Sequence, residues 1–122
     1  MKITVIGCGR WGSLITWYLD RKGHCVTLYG RANSRHMQEF LATRTNDLLT
    51  LPASIRLATD LGKAVQDAEV LILAVASQGL RGLMDELKPF GLQNRAFCLC
   101  MKGIEIGTGK RLSEIVRENT DP

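Results

Sequence analysis

Lys2-Ile3-Thr4-Val5-Ile6-Gly7-Cys8-Gly9-Arg10-Trp11-Gly12 stands almost at the start of the chain. Ile3, Val5 and Ile6 are strand formers, and they run straight into G-x-G-x-x-G. Gly7 permits a tight turn off the strand. Gly9 lets the backbone approach a pyrophosphate, and Gly12 lets a following helix pack closely on the sheet. The N-terminus of that helix offers free N–H groups and a partial positive charge to phosphate. A glycine turn alone is weak evidence, so the flanking residues matter.

Leu14, Ile15, Tyr18 and Leu19 recur at helical spacing and predict one buried helix face. Gly23 ends that helix, and Cys25-Val26-Thr27-Leu28-Tyr29 reads as a second strand. Strand, turn, helix and strand fit within about 30 residues, the length of one βαβ unit.

Further along, Ser34 to Thr43 reads as a short helix with Met37, Phe40 and Leu41 inward. Asn46-Asp47 and Pro52 mark an irregular stretch. Ile55 to Ala58 is a short strand, and Thr59 or Asp60 caps a helix from Leu61 to Ala68. Val70-Leu71-Ile72-Leu73-Ala74-Val75 has the continuous apolar character of a parallel strand buried on both faces. Ser77 caps a helix that carries Leu80, Leu83, Met84 and Leu87 inward, stopped by Pro89 and Gly91. Ala96 to Met101 is a fifth strand. A loop over 102–109 leads into a last helix with Leu112, Ile115 and Val116 inward. The alternation of strands and helices predicts a doubly wound parallel sheet, Rossmann-like, in three α/β/α layers. Right-handed crossovers give the strand order 3-2-1-4-5.

The 122 residues suffice for one domain, and 45% hydrophobic residues can fill a core. No apolar run is long enough to span a membrane. The first residues carry no signal-peptide pattern, so a cytoplasmic location is expected. The net charge of +4 comes from scattered basic residues without a nucleic-acid-binding signature. It suits an anionic cofactor or substrate, or plain solubility. Cys8, Cys25, Cys98 and Cys100 form no C-x-x-C, and none has metal-ligand spacing with His24 or His36. They read as reduced, mostly buried thiols, and no metal site is expected.

Ligands of such sheets sit at the carboxyl ends of the strands. Gly30-Arg31 closes the second strand, where an NAD site carries Asp or Glu for the ribose hydroxyls. No acid is present. Arg31, helped by Arg35, can meet a 2′-phosphate instead, or it is a solvated surface arginine. NADP(H) is therefore expected in preference to NAD(H). Ser77 is read first as a helix cap. Lys102 leaves two readings open from position alone: an exposed loop lysine, or an ammonium aimed into the cleft towards a phosphate, a carbonyl oxygen or a carboxamide.

Together these segments resemble the N-terminal domain of the bacterial-type NAD(P)-dependent glycerol-3-phosphate dehydrogenases. The resemblance rests on Ile6-Gly7-Cys8-Gly9-Arg10-Trp11-Gly12, Tyr29-Gly30-Arg31, Leu51-Pro52 and Ala58-Thr59-Asp60-Leu61. It continues through Leu73-Ala74-Val75-Ala76-Ser77-Gln78. Its most specific part is Lys102-Gly103-Ile104-Glu105 with Gly107-Thr108-Gly109. It covers essentially the whole chain. It implies an NAD(P)-dependent oxidoreductase that reduces dihydroxyacetone phosphate to sn-glycerol 3-phosphate and feeds phospholipid synthesis. Gly7, Gly9, Arg10, Trp11, Gly12 and Arg31 would then bind the cofactor, and Lys102 would lie where cofactor and substrate meet. Departures are Cys8 and Arg10, where smaller residues are common, and Ala76 and Ile106, where proline is common.

Family members continue into a further strand and a helical substrate domain that supplies the catalytic lysine. No catalytic residue is assigned within residues 1–122, which read as a truncated cofactor domain lacking its last strand. Little or no turnover is expected of it alone, and an open sheet edge would favour self-association. The alternatives are a related two-domain dehydrogenase, against which Lys102 to Glu105 argues, and a stand-alone dinucleotide-sensing module.

Overall fold

The computed structural model describes residues 1–91, 95–100, 108 and 110–120. Five strands, β1 (Lys2–Ile6), β2 (Cys25–Tyr29), β3 (Arg56–Ala58), β4 (Val70–Leu73) and β5 (Ala96–Leu99), form one parallel sheet. The order β3-β2-β1-β4-β5 is the expected one. The helices are α1 (Arg10–Arg21), α2 (Arg35–Thr43), α3 (Leu61–Val65), α4 (Leu80–Leu87) and α5 (Leu112–Thr120).

Alternation along the strands sends side chains to opposite faces. Ile6, Leu71 and Leu73 join Leu80, Leu83, Met84, Leu87, Leu112 and Ile115 on one face. Ile3, Val5, Val26, Leu28 and Ile72 join Met37, Phe40, Leu51 and Ile55 on the other. Each large side chain so buried contributes about 1.5–3 kcal/mol, and the sheet is sandwiched as a three-layer fold requires. On the first face the buried Thr4 hydroxyl donates to the Ala64 carbonyl at 2.5 Å and ties β1 to α3.

Several local expectations differ from the structure. The buried face of α1 is Gly12, Ser13 and Thr16, while Leu14 and Tyr18 are exposed. The reason is close packing: Gly12 brings the start of the helix so near the turn that small side chains sit directly beneath it, while Ile15 and Leu19, as expected, pack half-buried against the core on that face, with Trp17 beside them. Ser13 and Thr16 can be buried because their hydroxyls donate to the Arg10 and Gly12 carbonyls of their own helix, at 3.0 and 2.8 Å. Leu41 faces solvent on α2. Helix α3 stops at Val65, and Ala68 is buried just beyond it. Helix α4 begins at Leu80 with Gly79 as its N-cap, after a 3₁₀ turn over Ser77–Gly79, so Ser77 is not its cap. The thiols are not mostly buried: Cys8 is, Cys100 is half-buried, and Cys25 and Cys98 are exposed. The Cys100 thiol, just past the end of β5, has its pKa raised, by burial first and by the neighbouring Cys98 second. Among the described residues, no helix is long and apolar enough to cross a membrane.

Candidate functional site

The carboxyl ends of β1, β2 and β4 meet at the glycine turn. Gly7 donates to the Tyr29 carbonyl at 3.0 Å, and Ala74 donates to the Ile6 carbonyl at 2.8 Å. Gly7 has φ +120°, and a β-carbon there would lie 2.2 Å from the Ala74 carbonyl oxygen. Only glycine fits between the two neighbouring strands. A β-carbon on Gly12 would lie 1.9 Å from the Gly7 carbonyl oxygen, so Gly12 sets the closeness of α1 to the turn.

Gly9 differs from both. It is the N-cap of α1 at φ −70°, a conformation open to any residue, and no atom lies within 4 Å of where its β-carbon would be. The fold gives no reason for glycine here. What glycine preserves is open space directly in front of a helix N-terminus. That end has no side-chain cap and no acidic residue in its first turn. By contrast, Ser34 caps α2 and Asp60 caps α3 with their own oxygens. The first N–H groups of α1 thus face outward, as an anion site requires.

The space belongs to a cleft of about 360 Å³ lined by Gly7, Cys8, Gly9, Tyr29, Gly30, Arg31, Ser34, His36, Ala74, Val75, Ala76, Gly79 and Leu83. A smaller hollow of about 240 Å³ lies at the other ends of the strands, against Lys2, Cys25, Arg56 and Lys63. It has no glycine turn, and ligands of doubly wound sheets bind at the carboxyl ends. Gly30 contributes to the cleft by what it lacks, since a β-carbon would press on Cys8 Sγ at 2.5 Å and on the Met37 side chain. Its position directly after a strand was the sequence signal. Burial raises the Tyr29 hydroxyl's pKa, an effect partly offset by the Arg31 charge.

Of the expected cofactor residues, Gly12 is buried where α1 meets the turn and does not line the cleft, and the others fall into three groups. Gly7, Gly9 and Arg31 line the cleft. Arg10 and Trp11, in the first turn of α1, are exposed beside it. Arg10 pairs with Asp47 at 3.3 Å, both largely in solvent. Lys102, with Gly103 to Gly107 and Gly109, lies outside the described residues.

Two features escaped sequence reasoning. Asn46 pins the loop before Leu51 onto α1: its amide donates to Ser13 Oγ at 3.0 Å, and its side-chain oxygen accepts from the Leu48 and Leu49 N–H groups. Arg44, at φ +58°, donates to the carbonyls of Leu51, Pro52 and Ile55 and holds the loop's return. The other feature is Glu86 on α4, whose carboxylate takes both arms of the Arg31 guanidinium at 2.9 and 2.7 Å. Hydrogen bonding from Arg31 holds the Glu86 carboxyl below the usual carboxylate range. The same bond raises Arg31 further above its ordinary value. A partner 55 positions away leaves no local signal in the sequence.

Residues 2–122 match the family described as the N-terminus of NAD-dependent glycerol-3-phosphate dehydrogenase. The chain is similar to a glycerol-3-phosphate dehydrogenase [NAD(P)+] of Thermoanaerobacter, 37% identical over 121 residues. That match covers 97% of this chain and 36% of the relative. A second enzyme of the same description, from Prosthecochloris aestuarii, is 38% identical over 122 residues, with the same coverage of each. In fold the chain is similar to glycerol-3-phosphate dehydrogenase from Coxiella burnetii. The TM-score is 0.87 at 23% identity, covering 99% of this chain and 38% of that one. The chain therefore spans little more than a third of the length of these curated relatives.

Proposed function

We propose a function from one premise: the chain belongs to the family of NAD-dependent glycerol-3-phosphate dehydrogenases, and it corresponds to their N-terminal domain. It is the cofactor-binding part of an NAD(P)-dependent oxidoreductase. In this reading residues 1–122 hold the dinucleotide along the carboxyl edge of the sheet. The observation that carries it is Gly9, a glycine that the fold does not need, placed before an uncapped helix N-terminus. The backbone N–H groups of the first turn of α1 would take the pyrophosphate, with Arg10 reaching it from beside the turn once it leaves Asp47. Trp11 would cover the cofactor's exposed side. Arg31, across the cleft, would meet a 2′-phosphate, so the preferred cofactor is NADP(H), with NAD(H) also accepted.

The bound cofactor supplies a hydride. This chain's residues bind and orient it. Lys102 would stand between cofactor and substrate, a role that rests on the resemblance of Lys102-Gly103-Ile104-Glu105. The whole enzyme would reduce dihydroxyacetone phosphate to sn-glycerol 3-phosphate for phospholipid synthesis in the cytoplasm. The 122-residue piece would bind cofactor with little or no turnover. Strand β5, the outer described strand on its side of the sheet, would be its site of self-association.

Calorimetric titration of the chain with NADPH and NADH, repeated with Arg31→Ala, tests this. The expected result is tighter NADPH binding and loss of that preference in the variant. A folded chain that binds neither cofactor overturns the reading. Equal binding of both, unchanged by the substitution, overturns the role of Arg31.

A further inference from the structure

We propose that Glu86 holds down the chain's preference for NADPH over NADH by competing with the cofactor's 2′-phosphate for the Arg31 guanidinium. The inference rests on the reading that Arg31 faces the adenosine ribose. The pair is fork on fork, Nη1 to Oε1 at 2.9 Å and Nη2 to Oε2 at 2.7 Å. A phosphate recognises a guanidinium through the same planar pair of donors. To reach those donors it must displace the carboxylate or share one cation with a second anion at close range.

The arrangement answers a question raised by the end of β2. An NAD site carries an acid there for the ribose hydroxyls, and this chain has Gly30-Arg31. The structure brings a carboxylate to the Arg31 guanidinium from another element. Leu83, Met84 and Leu87 anchor α4 in the core, which fixes the backbone that carries Glu86. Arg31 lines the cleft, and its guanidinium is held by Glu86. For NADH, which has no 2′-phosphate, nothing competes for Arg31 and the ion pair can stay closed. For NADPH the phosphate gains the arginine and loses part of that gain to the carboxylate. The result is a site that takes both cofactors, with selectivity set by the balance between one arginine and one glutamate.

Glu86→Gln and Glu86→Ala in the 122-residue chain test this by titration with NADPH and NADH. Circular dichroism verifies the fold of each variant. Freeing the Arg31 guanidinium from its carboxylate partner is expected to tighten NADPH about two- to fivefold. NADH binding should stay the same or weaken. The gain should shrink in high salt. It should vanish when Arg31→Ala is added, which a merely structural role of Glu86 would not produce. An unchanged ratio of the two dissociation constants in both folded variants overturns the inference, and so does a gain that persists without Arg31. If the unsubstituted chain binds neither cofactor, the cofactor reading falls and this inference falls with it. If it binds both and only the Glu86 variants are silent, the cofactor reading stands alone.

Discussion

The carbonyl oxygen of Gly7 occupies the place where a side chain on Gly12 would begin, 1.9 Å from the position of its β-carbon. Gly9 lies between them in sequence and has open space instead. Substitutions at the two positions should therefore separate stability from binding. Gly12→Ala forces α1 off the turn and is expected to cost about 1–3 kcal/mol or more. The melting temperature would fall by about 3–5 °C per kcal/mol. Gly9→Ala should change stability by less than about 1 kcal/mol yet weaken NADPH and NADH tenfold or more. Thermal melts and calorimetry on the two variants measure both. A Gly9→Ala chain that binds normally would count against the placement of the pyrophosphate.

Arg10 and Arg31 should report different parts of one ligand. Both cofactors share a pyrophosphate, and only one has a 2′-phosphate. Arg10→Ala is expected to weaken NADPH and NADH alike, by about three- to tenfold at low salt and less at high salt. Its ion pair with Asp47 restrains the side chain, so Asp47→Asn should strengthen both. Titrations at two ionic strengths check this. Unequal losses for the two cofactors would move Arg10 away from the pyrophosphate.

Thr4 offers a stability test away from the cleft. Its buried hydroxyl bonds the Ala64 carbonyl. Thr4→Val keeps the shape and strands that acceptor, at a cost of about 1–3 kcal/mol. Thr4→Ser should recover most of it. Urea unfolding of the three chains decides the point.

The Arg31–Glu86 pair should leave a signature in acid. Its carboxyl has a lowered pKa in the folded chain, with the hydrogen bond from Arg31 as the main cause. The stabilisation is therefore present above the ordinary carboxylate range and lost as pH falls through the lowered folded value. Both side chains are partly exposed, so the amount is below about 1 kcal/mol. Urea unfolding from pH 6 to about pH 3 should show the original chain's advantage over Glu86→Gln shrinking with acid. A difference that stays constant, or grows, would mean that the charge pair contributes no stability.

Much of the fold was legible because its signals are local and periodic. Val70 to Leu73 is apolar without interruption, and it is a central strand between β1 and β5. Leu80, Leu83, Met84 and Leu87 recur at helical spacing, and all four are buried. The same rule misled at α1, where Leu14 and Tyr18 face solvent and Ser13 and Thr16 are buried. Hydrophobicity gave way to size only directly beneath the helix, where Gly12 brings it against the turn; Ile15 and Leu19 pack half-buried on the core as their spacing predicts. Ser77 could serve as a cap by composition, but an extra 3₁₀ turn moved the helix start to Leu80.

The candidate site divides in the same way. The glycine turn, its place after the first strand and the arginine ending the second are properties of adjacent residues, and the sequence alone determined them. The tertiary structure decided which glycines the fold requires and which one stands before open space, because that depends on atoms from β4 and from the turn itself. It also decided that Arg31 is shared. Glu86 is 55 residues away along the chain and 2.7 Å away in space. Only the packing of α4 over the sheet brings the two charges together.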